Sequence, residues 1–276
     1  MTEINFLKMD GLGNDFVIIP ACNQEVKLSG EQIVALASRS NETTGGCDQL
    51  VLMEKSENAD CFMRIYNADG GEVDACGNAS RCVAWLIHEE EDKGKITIET
   101  KAGVIEAEIV GDKIVAVDMG EPRLEWNEIP LKNQEDTLHL SISEGELSDA
   151  VGVSMGNPHA VFFVDDIEEV DLSTLGASLE VNELFPERAN INIAQIESAD
   201  IIRLRVWERG VGETLACGTG ACATLVAAVR RELTNRKATL KLKGGDLEIQ
   251  WRDDNHVIMT GPVSLPQEES FEIETA

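Results

Sequence analysis

Residues 71–78 read GEVDACGN and residues 212–219 read GETLACGT, so one motif occurs twice at an offset of 141 residues. The match continues upstream, where RIY at 64–66 has the same spacing from the motif as RVW at 205–207. Each copy joins a Gly-rich turn to a cysteine that is followed by glycine. The chain therefore contains the same segment twice.

Two further matches extend the repeat in both directions. GNDFV at 13–17 matches GNPHA at 156–160 at an offset of 143. At an offset of 141, Gly103 and Gly120 match Gly244 and Gly261. Matches in the same order at nearly constant spacing indicate a duplicated domain. We expect a first domain of residues 1–120 plus 263–276 and a second domain of residues 121–262.

Each half combines short strands with one long helix. Apolar and polar residues alternate between turn signals in most β-branched runs, which is typical of antiparallel strands. Helices are predicted at 77–91 and 218–233, and both are apolar around much of their circumference, as in a helix enclosed by a sheet. A shorter helix is predicted at 30–39, with Ser29 as N-cap and Gln32 completing a capping box. The predicted fold is α+β, with two pseudo-symmetric domains, each an antiparallel β-barrel-like sheet around a central helix.

Composition excludes several classes of function. The chain has 23 Lys and Arg against 51 Asp and Glu, which gives a net charge of −28. Such a surface repels phosphate backbones and anionic lipid, so we expect neither nucleic-acid nor membrane binding. No apolar run approaches the roughly 20 residues that span a bilayer, and the N-terminus does not resemble a secretory signal. An odd count of seven cysteines in a chain of this length favours the reducing cytoplasm.

The repeated cysteines, Cys76 and Cys217, each lie at the last position before a predicted helix. A helix N-terminus has unpaired N–H groups and about half a unit of positive charge. It therefore lowers the pKa of a thiol there, and we expect a thiolate to be accessible near neutral pH. It also forms an anion-binding site. The N–H groups available for an anion belong to Gly77, Asn78, Gly218 and Thr219.

A two-fold arrangement of the repeats would bring the two helix ends to opposite sides of one cleft. A carboxylate held there would present its α-carbon to one sulfur on each face. One thiolate can then remove the α-proton while the other thiol delivers a proton to the opposite face, which inverts the stereocentre. Free cysteines are usually small buried hydrophobes, and we assign that structural role to the cysteines outside the repeat: Cys22, Cys47, Cys61, Cys82 and Cys222.

Four longer segments carry a resemblance to a known family. They are NADGGEVDACGNASRC at 67–82, MGNPH at 155–159, PERANIN at 186–192 and RVWERGVGETLACGTGACAT at 205–224. Together they resemble diaminopimelate epimerases, and the resemblance runs from KMDGLGNDF near the N-terminus to TGP at 260–262. Proline racemases and hydroxyproline epimerases are similar in fold and in their paired cysteines, but they lack this combination of GNDF, PERxN and ERGVGE.

The resemblance implies an isomerase that needs neither pyridoxal phosphate nor another cofactor nor a metal. It would interconvert LL- and meso-2,6-diaminopimelate, for lysine and peptidoglycan precursors, as a cytoplasmic homodimer. Cys76 and Cys217 would be the acid/base pair, with His159 and Glu208 adjusting the protonation of the thiols. The carboxylate at the reacting carbon would bind Gly77, Asn78, Gly218 and Thr219. The remaining substrate groups would bind Asn14, Gln49, Asn67, Asn157, Asn190, Glu208 and Arg209.

These assignments are chemically reasonable for a substrate with two carboxylates and two ammonium groups. The planar guanidinium of Arg209 can grip a distal carboxylate with two donors. Asparagine side chains offer both a donor and an acceptor, so they satisfy a zwitterion without adding charge. One segment departs from the family: the chain reads TGGCDQ at 44–49, where a Gly-x-Gly usually precedes the Asp-Gln pair.

Three alternatives stay open from the sequence. The first is a metal or redox protein built on Cys76, Cys82, Cys217, Cys222 and His159, although the C-x5-C and C-x4-C spacings are unlike short zinc or redox motifs. The second is a non-catalytic amino-acid binding protein, in which the two thiols would have no purpose. The third, within the enzymes, is a racemase or epimerase that acts on another amino acid.

Overall fold

The computed structural model describes residues 2–22 and 26–273, and the chain divides into two compact units. The first unit comprises Met1–Val117 and Gly261–Ala276, and the second comprises Asp118–Thr260. Residues 1, 23–25 and 274–276 of the predicted first domain lie outside the described residues.

The helices and strands follow the repeat. The first unit contains β1 (Thr2–Gly11), β2 (Asn14–Pro20), α1 (Gly30–Ala37), β3 (Gln49–Glu54), β4 (Cys61–Asn67), β5 (Glu72–Val73), α2 (Gly77–Glu91), β6 (Lys95–Thr100), β7 (Gly103–Gly111) and β8 (Ile114–Asp118). Then come β9 (Val151–Ser154), β10 (Pro158–Phe163), α3 (Leu172–Glu180), β11 (Asn190–Ser198), β12 (Ile201–Glu208), β13 (Gly212–Thr214), α4 (Gly218–Arg230), β14 (Lys237–Leu242), β15 (Gly245–Trp251) and β16 (Val257–Pro262). The chain ends with β17 (Gln267–Ile273), which belongs to the first unit.

The two units have the same strand pairing. In the first, β1–β2, β3–β4, β4–β5, β6–β7 and β7–β8 are antiparallel, whereas β2–β3 and β4–β6 are parallel. The second unit repeats each of these pairings in order with β9 to β16. The first unit also has β17, which lies antiparallel to β1. The α+β fold with two duplicated domains is confirmed.

The sheets are mixed, which the prediction of antiparallel strands did not include. Parallel neighbours need a long crossover connection, usually through a helix. The β2–β3 connection carries α1 and the β10–β11 connection carries α3, while α2 and α4 lie in the other two crossovers. The sequence does not predict α3. This helix begins after Asp171, whose side chain accepts a hydrogen bond from the N–H of Thr174.

The predicted helix starts are confirmed, and two predicted helix ends are wrong: α1 ends at Ala37 instead of residue 39, and α4 also ends early. The capping box of α1 forms, with Ser29 and Gln32 each accepting from the other's backbone N–H. The second central helix ends at Arg230 instead of residue 233. Glu232 has a φ of 58°, and the N–H of Leu233 reaches back to the carbonyl of Ala228 at 2.9 Å. Left-handed backbone closes the helix there.

Both central helices are buried, as predicted. The described core includes Gly77–Trp85 of α2, and α4 is buried along most of its length. Within its own unit, α2 packs against β1, β6 and β7, and α4 packs against β9, β10 and β15. Each fully buried aliphatic side chain stabilises its unit by roughly 1.5–3 kcal/mol. No helix among the described residues is long and apolar enough to cross a membrane.

The strand ladders correct the register of one repeat match. Gly103 faces Thr100 at the β6–β7 turn, and the residue in the same place at the β14–β15 turn is Gly245, which faces Leu242. Gly103 and Gly245 also share a positive φ, of 127° and 137°. The structural partner of Gly103 is therefore Gly245, one residue after the glycine chosen from the sequence, because Lys243 and Gly244 form the turn.

Candidate active site

The predicted site residues occupy equivalent places in the two units. In the first unit Gln49 on β3 faces Asn67 on β4. In the second unit Ile191 faces Trp207, so Asn190 and Glu208 stand at the next position of the ladder. The repeat therefore pairs Asn14 with Asn157, Gln49 with Asn190, Asn67 with Glu208, Cys76 with Cys217, and Asn78 with Thr219. Each unit therefore carries part of the predicted set, and His159 and Arg209 of the second unit have no counterpart in it.

In the first unit, Cys76 is the N-cap of α2 and is partly exposed. Its Sγ lies 3.9 Å from Oδ1 of Asn14. That oxygen also accepts a hydrogen bond of 3.2 Å from Nδ2 of Asn78. The structure thus brings three predicted site residues together at the start of one helix.

Arg81 lies beneath this cluster, and the sequence analysis did not name it. It is fully buried, and its Nη1 donates to Oδ1 of Asn78 at 3.0 Å. A Cβ on Gly11 would lie only 3.0 Å from the guanidinium. The sequence signal for Arg81 is a charged residue within the apolar part of a predicted helix. An arginine is rarely buried there without a specific partner.

Gln49 and Asn67 form a separate pair in the first unit. Nε2 of Gln49 donates to Oδ1 of Asn67 at 3.0 Å. Oε1 of Gln49 is buried and has no hydrogen-bond partner among the described residues, which is a costly arrangement unless a ligand supplies a donor.

The loop before Gln49, which departs from the family, is anchored by Lys8 and by a close backbone contact. Nζ of Lys8 donates to the carbonyls of Thr44 and Gly46 at 2.7 and 2.9 Å. Gly46 has a φ of 71°, and a Cβ there would lie 2.6 Å from the backbone of Ser38 and Arg39. Only glycine fits this close approach of two chain segments.

In the second unit, Cys217 is the N-cap of α4 and is only 4% exposed. Its Sγ accepts from the N–H of Gly220 at 3.4 Å and lies 3.6 Å from Oγ1 of Thr219. Burial, and after it the carboxylate of Glu208, raises the pKa of Cys217 well above that of a free thiol. The prediction of a lowered pKa is therefore wrong for Cys217, because burial outweighs the helix N-terminus.

Glu208 is held in place at the end of β12. Its Oε1 accepts from the hydroxyl of Thr214 on β13 at 2.5 Å. Since its charge acts on Cys217, Glu208 favours the protonated thiol. The structure thus gives Glu208 a direct electrostatic influence on one repeat cysteine.

His159 reaches Cys217 only through other side chains. It is fully buried on β10, with Nε2 3.1 Å from Oδ1 of Asn157 and Nδ1 3.2 Å from Oδ1 of Asn192. Asn157 in turn lies 3.3 Å from the hydroxyl of Thr219. Burial lowers the pKa of His159 to about 4, so the imidazole is neutral at pH 7.

Asn192 is a second buried polar residue that was not among the predicted site residues. An asparagine inside a buried strand is a signal that the sequence offers.

Asn190 and Arg209 are two further predicted site residues of the second unit, and they contact each other. Oδ1 of Asn190 accepts from the backbone N–H of Arg209 at 2.9 Å, and Nδ2 donates to the carbonyl of Pro158 at 3.1 Å. The guanidinium of Arg209 is exposed and donates to the carbonyl of Glu187 at 2.9 Å. The amide of Asn190 thus anchors the loop that presents Arg209.

The geometry gives no support to a metal or redox centre. Within residues 2–22 and 26–273, no group of three or more His, Cys, Asp or Glu side chains is placed to hold a metal ion. Burial raises the pKa of Cys82 to about 12. Of the five cysteines outside the repeat, four are buried and Cys22 is partly exposed.

Comparison with known proteins identifies the family. The model of the diaminopimelate epimerase family matches residues 6–125 and 151–266. The chain belongs to the diaminopimelate epimerase family. A diaminopimelate epimerase of Rhodospirillum centenum is 53% identical over 261 residues, which cover 94% of this chain and 89% of the relative. One of Acidiphilium cryptum is 52% identical, with 94% of this chain and 93% of the relative covered.

Solved structures with low sequence identity share the fold of this family. A putative phenazine biosynthesis protein of Clostridium difficile matches with a TM-score of 0.71 at 15% identity, covering 98% of this chain and 100% of that protein. A hydroxyproline epimerase of Agrobacterium vitis matches with a TM-score of 0.68 at 13% identity, covering 98% and 91%. The duplicated architecture is therefore wider than the family.

Proposed function

We propose that this protein interconverts LL- and meso-2,6-diaminopimelate, and that Cys76 and Cys217 transfer the protons. One sulfur removes the α-proton of the substrate and the other delivers a proton to the opposite face. The observation that carries the proposal is that both repeats place a cysteine at the N-cap of their buried helix. Family membership supplies the substrate.

A two-base reaction begins with one thiolate and one thiol, and the second unit suits the thiol. Burial and Glu208 raise the pKa of Cys217, so this sulfur carries its proton at neutral pH. In the proposal Cys217 is the acid and Cys76 the base for one substrate stereoisomer. The other stereoisomer uses the protonation state left by the first turnover, in which the roles are exchanged.

The carboxylate next to the reacting carbon binds the helix N-termini in this proposal. The first N–H groups of a helix have no partner within the helix. The residues with these N–H groups are Gly77, Asn78, Gly218 and Thr219. As the α-proton leaves, negative charge grows on the carboxylate, and oriented dipoles stabilise this charge more than they stabilise the ground state. The reaction can therefore proceed without a cofactor or a metal.

The polar side chains around the cysteines would select the rest of the substrate. Gln49 has a buried acceptor without a partner among the described residues, which an ammonium group would satisfy. Arg209 is exposed and can bind the distal carboxylate through its free N–H donors. Asn14 and Asn67, with Asn157, Asn190 and Glu208 of the second unit, complete the proposed set.

Solvent exchange tests the proposal directly. The protein is incubated with LL-diaminopimelate in D2O, and deuterium at the α-carbon and the formation of the meso isomer are followed by NMR and chiral chromatography. Wild type is expected to exchange with inversion. Cys76→Ser and Cys217→Ser should each lower the rate by at least about 100-fold, while Cys22→Ser, at a cysteine outside the repeat motif, should match wild type.

Two results would contradict the proposal. Wild-type rates in either repeat-cysteine variant would remove that thiol from the mechanism. A folded wild type that exchanges no deuterium into diaminopimelate would exclude this substrate and return attention to other amino acids. Two further parts of the proposal remain: a cytoplasmic location, which rests on the family and on the odd number of cysteines, and a homodimer, which rests on the family alone. Sedimentation velocity tests the dimer.

A further inference from the structure

Asn192 has no role in the proposed reaction, yet it lies at the centre of a buried hydrogen-bond network in the second unit. We propose that Asn192 is a positioning residue that fixes the proton of His159 on Nδ1. Through Asn157 and Thr219, this sets the thiol of Cys217 as a hydrogen-bond donor. The inference deepens the proposed function, since it explains how Cys217 is kept as the acid.

The orientation of the Asn192 amide is decided by its neighbours. Its Nδ2 lies 2.8 Å from the carbonyl oxygen of Gly220 and 2.9 Å from Oγ1 of Thr224. A carbonyl oxygen only accepts hydrogen bonds, so the nitrogen of the amide must face Gly220. The amide oxygen therefore faces His159, 3.2 Å from Nδ1.

This orientation determines the tautomer of His159. An amide oxygen is only an acceptor, so Nδ1 of His159 must carry a hydrogen. The ring is fully buried, and its pKa is lowered to about 4, chiefly by burial and also by the charge of Arg209. A neutral imidazole has a single N–H, so Nε2 is left with a lone pair that needs a donor.

Asn157 is the donor within reach of Nε2. As placed, Oδ1 of Asn157 lies 3.1 Å from Nε2, and its Nδ2 donates to Oγ1 of Thr219 at 3.3 Å. A half-turn of the amide exchanges its oxygen and nitrogen at nearly the same positions. With neutral His159, Asn157 must turn its NH2 group to the ring and its oxygen to Thr219. The hydroxyl of Thr219 then donates to Asn157.

The chain of hydrogen bonds ends at the thiol. Because Thr219 uses its hydrogen toward Asn157, its oxygen is free to accept from Cys217, whose Sγ lies 3.6 Å away. The N–H of Gly220 donates to the same sulfur at 3.4 Å. The carboxylate of Glu208 is the charged group that acts on this sulfur, and it also favours the thiol. In this direction the network presents an acceptor to a protonated Cys217.

The hydrogen bonds run in the opposite direction when His159 is protonated and Cys217 is ionised. If His159 is an imidazolium, Nε2 donates to the oxygen of Asn157. The NH2 group of Asn157 then donates to Thr219, whose hydroxyl donates to a thiolate at Cys217. Protonation of His159 and ionisation of Cys217 are thus coupled, although no proton passes between them. Asn192, which always presents an acceptor to Nδ1, permits both states and excludes the Nε2–H tautomer.

Nitrogen NMR of the wild-type protein tests the tautomer without any substrate. The chain has four histidines, so ¹⁵N-histidine labelling gives a simple spectrum, and loss of one signal set in His159→Gln assigns His159. We expect a pyrrole-type Nδ1 and a pyridine-type Nε2 at pH 7. A pyridine-type Nδ1, or an imidazolium at pH 7, would overturn the proposal.

Alkylation of the thiol tests the coupling. Iodoacetamide labelling of Cys217 is measured by mass spectrometry as a function of pH, with Cys76 as internal reference. In Asn192→Ala no amide oxygen faces Nδ1, so His159 can carry its proton on Nε2 and the network can donate toward the sulfur. The midpoint for Cys217 should therefore fall by about one pH unit, while that of Cys76 stays unchanged. Thr224→Val is the matched control, since it removes a partner of Asn192 but leaves Gly220 to orient the amide.

A purely structural role for Asn192 gives a different result. It predicts that Asn192→Ala and Thr224→Val change stability but leave the Cys217 midpoint in place, and this outcome would refute the coupling. If Asn192→Ala fails to fold, the wild-type NMR spectrum still decides the tautomer. Neither experiment uses diaminopimelate, so a failure of this inference is distinguishable from a failure of the proposed function.

Discussion

The two helix ends that carry Cys76 and Cys217 have similar backbones and different surroundings. Both cysteines are extended N-cap residues, with φ and ψ of −148° and 113° for Cys76 and −127° and 110° for Cys217. Around Cys76 are neutral amides above the buried Arg81. Around Cys217 are a carboxylate and a neutral imidazole network. Duplication has kept the geometry of the helix start, while the neighbouring side chains give each thiol its own electrostatic environment.

This difference matches what a two-base reaction needs. Two thiols in identical environments would have equal affinities for the proton, so neither sulfur would be favoured as the acid. The carboxylate of Glu208 stands where the first unit has Asn67, and His159 stands where it has Phe16. In the proposed mechanism, these exchanges favour the protonated thiol at Cys217. The predictions below test the comparison, starting with the largest expected effect.

Arg81 is buried in α2, whereas Cys222 occupies the equivalent repeat position in α4. Replacing Arg81 with alanine leaves a cavity and removes a donor from Asn78. We expect a loss of about 4 kcal/mol in the free energy of unfolding, measured by urea denaturation. Lys132→Ala, which breaks an exposed ion pair with Glu183, should cost less than about 1 kcal/mol. Equal losses in both variants would show that Arg81 has no special structural role.

The carboxylate of Glu208 is the charged group that most separates the two thiols. Glu208→Gln removes a negative charge that raises the pKa of Cys217, so the alkylation midpoint of Cys217 should fall. We expect kcat to fall about 100-fold, because Cys217 no longer holds its proton as the acid. Glu213→Gln is the matched control, since Glu213 belongs to β13 but pairs with Arg205 and Lys243. An unchanged Cys217 midpoint in Glu208→Gln would contradict this prediction.

His159 should make the protein sensitive to acid. Its pKa is about 4 in the folded protein and about 6.5 when unfolded. Between these values only the unfolded state binds the proton, so the contribution of His159 is complete above pH 6.5 and is lost as the pH falls toward 4. From pH 7.5 to 4.5, wild type should lose about 2.5 kcal/mol more stability than His159→Gln. Parallel urea curves for both proteins at both pH values would rule this out.

The comparison can also be tested by making the first unit more like the second. Asn67 occupies the repeat position of Glu208, so Asn67→Glu should place a carboxylate near Cys76. We expect the alkylation midpoint of Cys76 to rise by about one pH unit, with that of Cys217 unchanged. Asn58→Glu, in an exposed loop of the same unit, controls for the added charge. A rise in both variants, or in neither, would show that Asn67 and Glu208 are not electrostatic equivalents.

The sequence predicted the elements whose signals are local. The capping box at Ser29 and the helix starts after Cys76 and Cys217 are set by neighbouring residues, and the structure confirms them. It missed what depends on distant contacts. The parallel pairing of β2 with β3 requires a crossover, and periodicity alone does not distinguish buried parallel strands from antiparallel ones. The third helix, α3, is short and has no capping box.

The candidate site shows the same division. The repeat and the family resemblance were enough to name the cysteines and the amides, because these residues lie in contiguous motifs. Arg81 and Asn192 were missed, since each acts through a neighbour and is recognisable only when its burial is known. The expected low pKa for Cys217 was wrong for the same reason, because the sequence shows the helix dipole but not the loss of solvent around the sulfur.

The sequence by itself determined the duplication, the fold class, the family and the place of each repeat cysteine at a helix start. These follow from residue order, since motif spacing and capping depend on neighbours along the chain. The tertiary structure decided which thiol is buried, which polar groups surround it and which direction their hydrogen bonds take. Those properties depend on solvent exclusion and on contacts between residues far apart in sequence, such as His159 and Asn192, and desolvation is the effect that sets the pKa of a buried group.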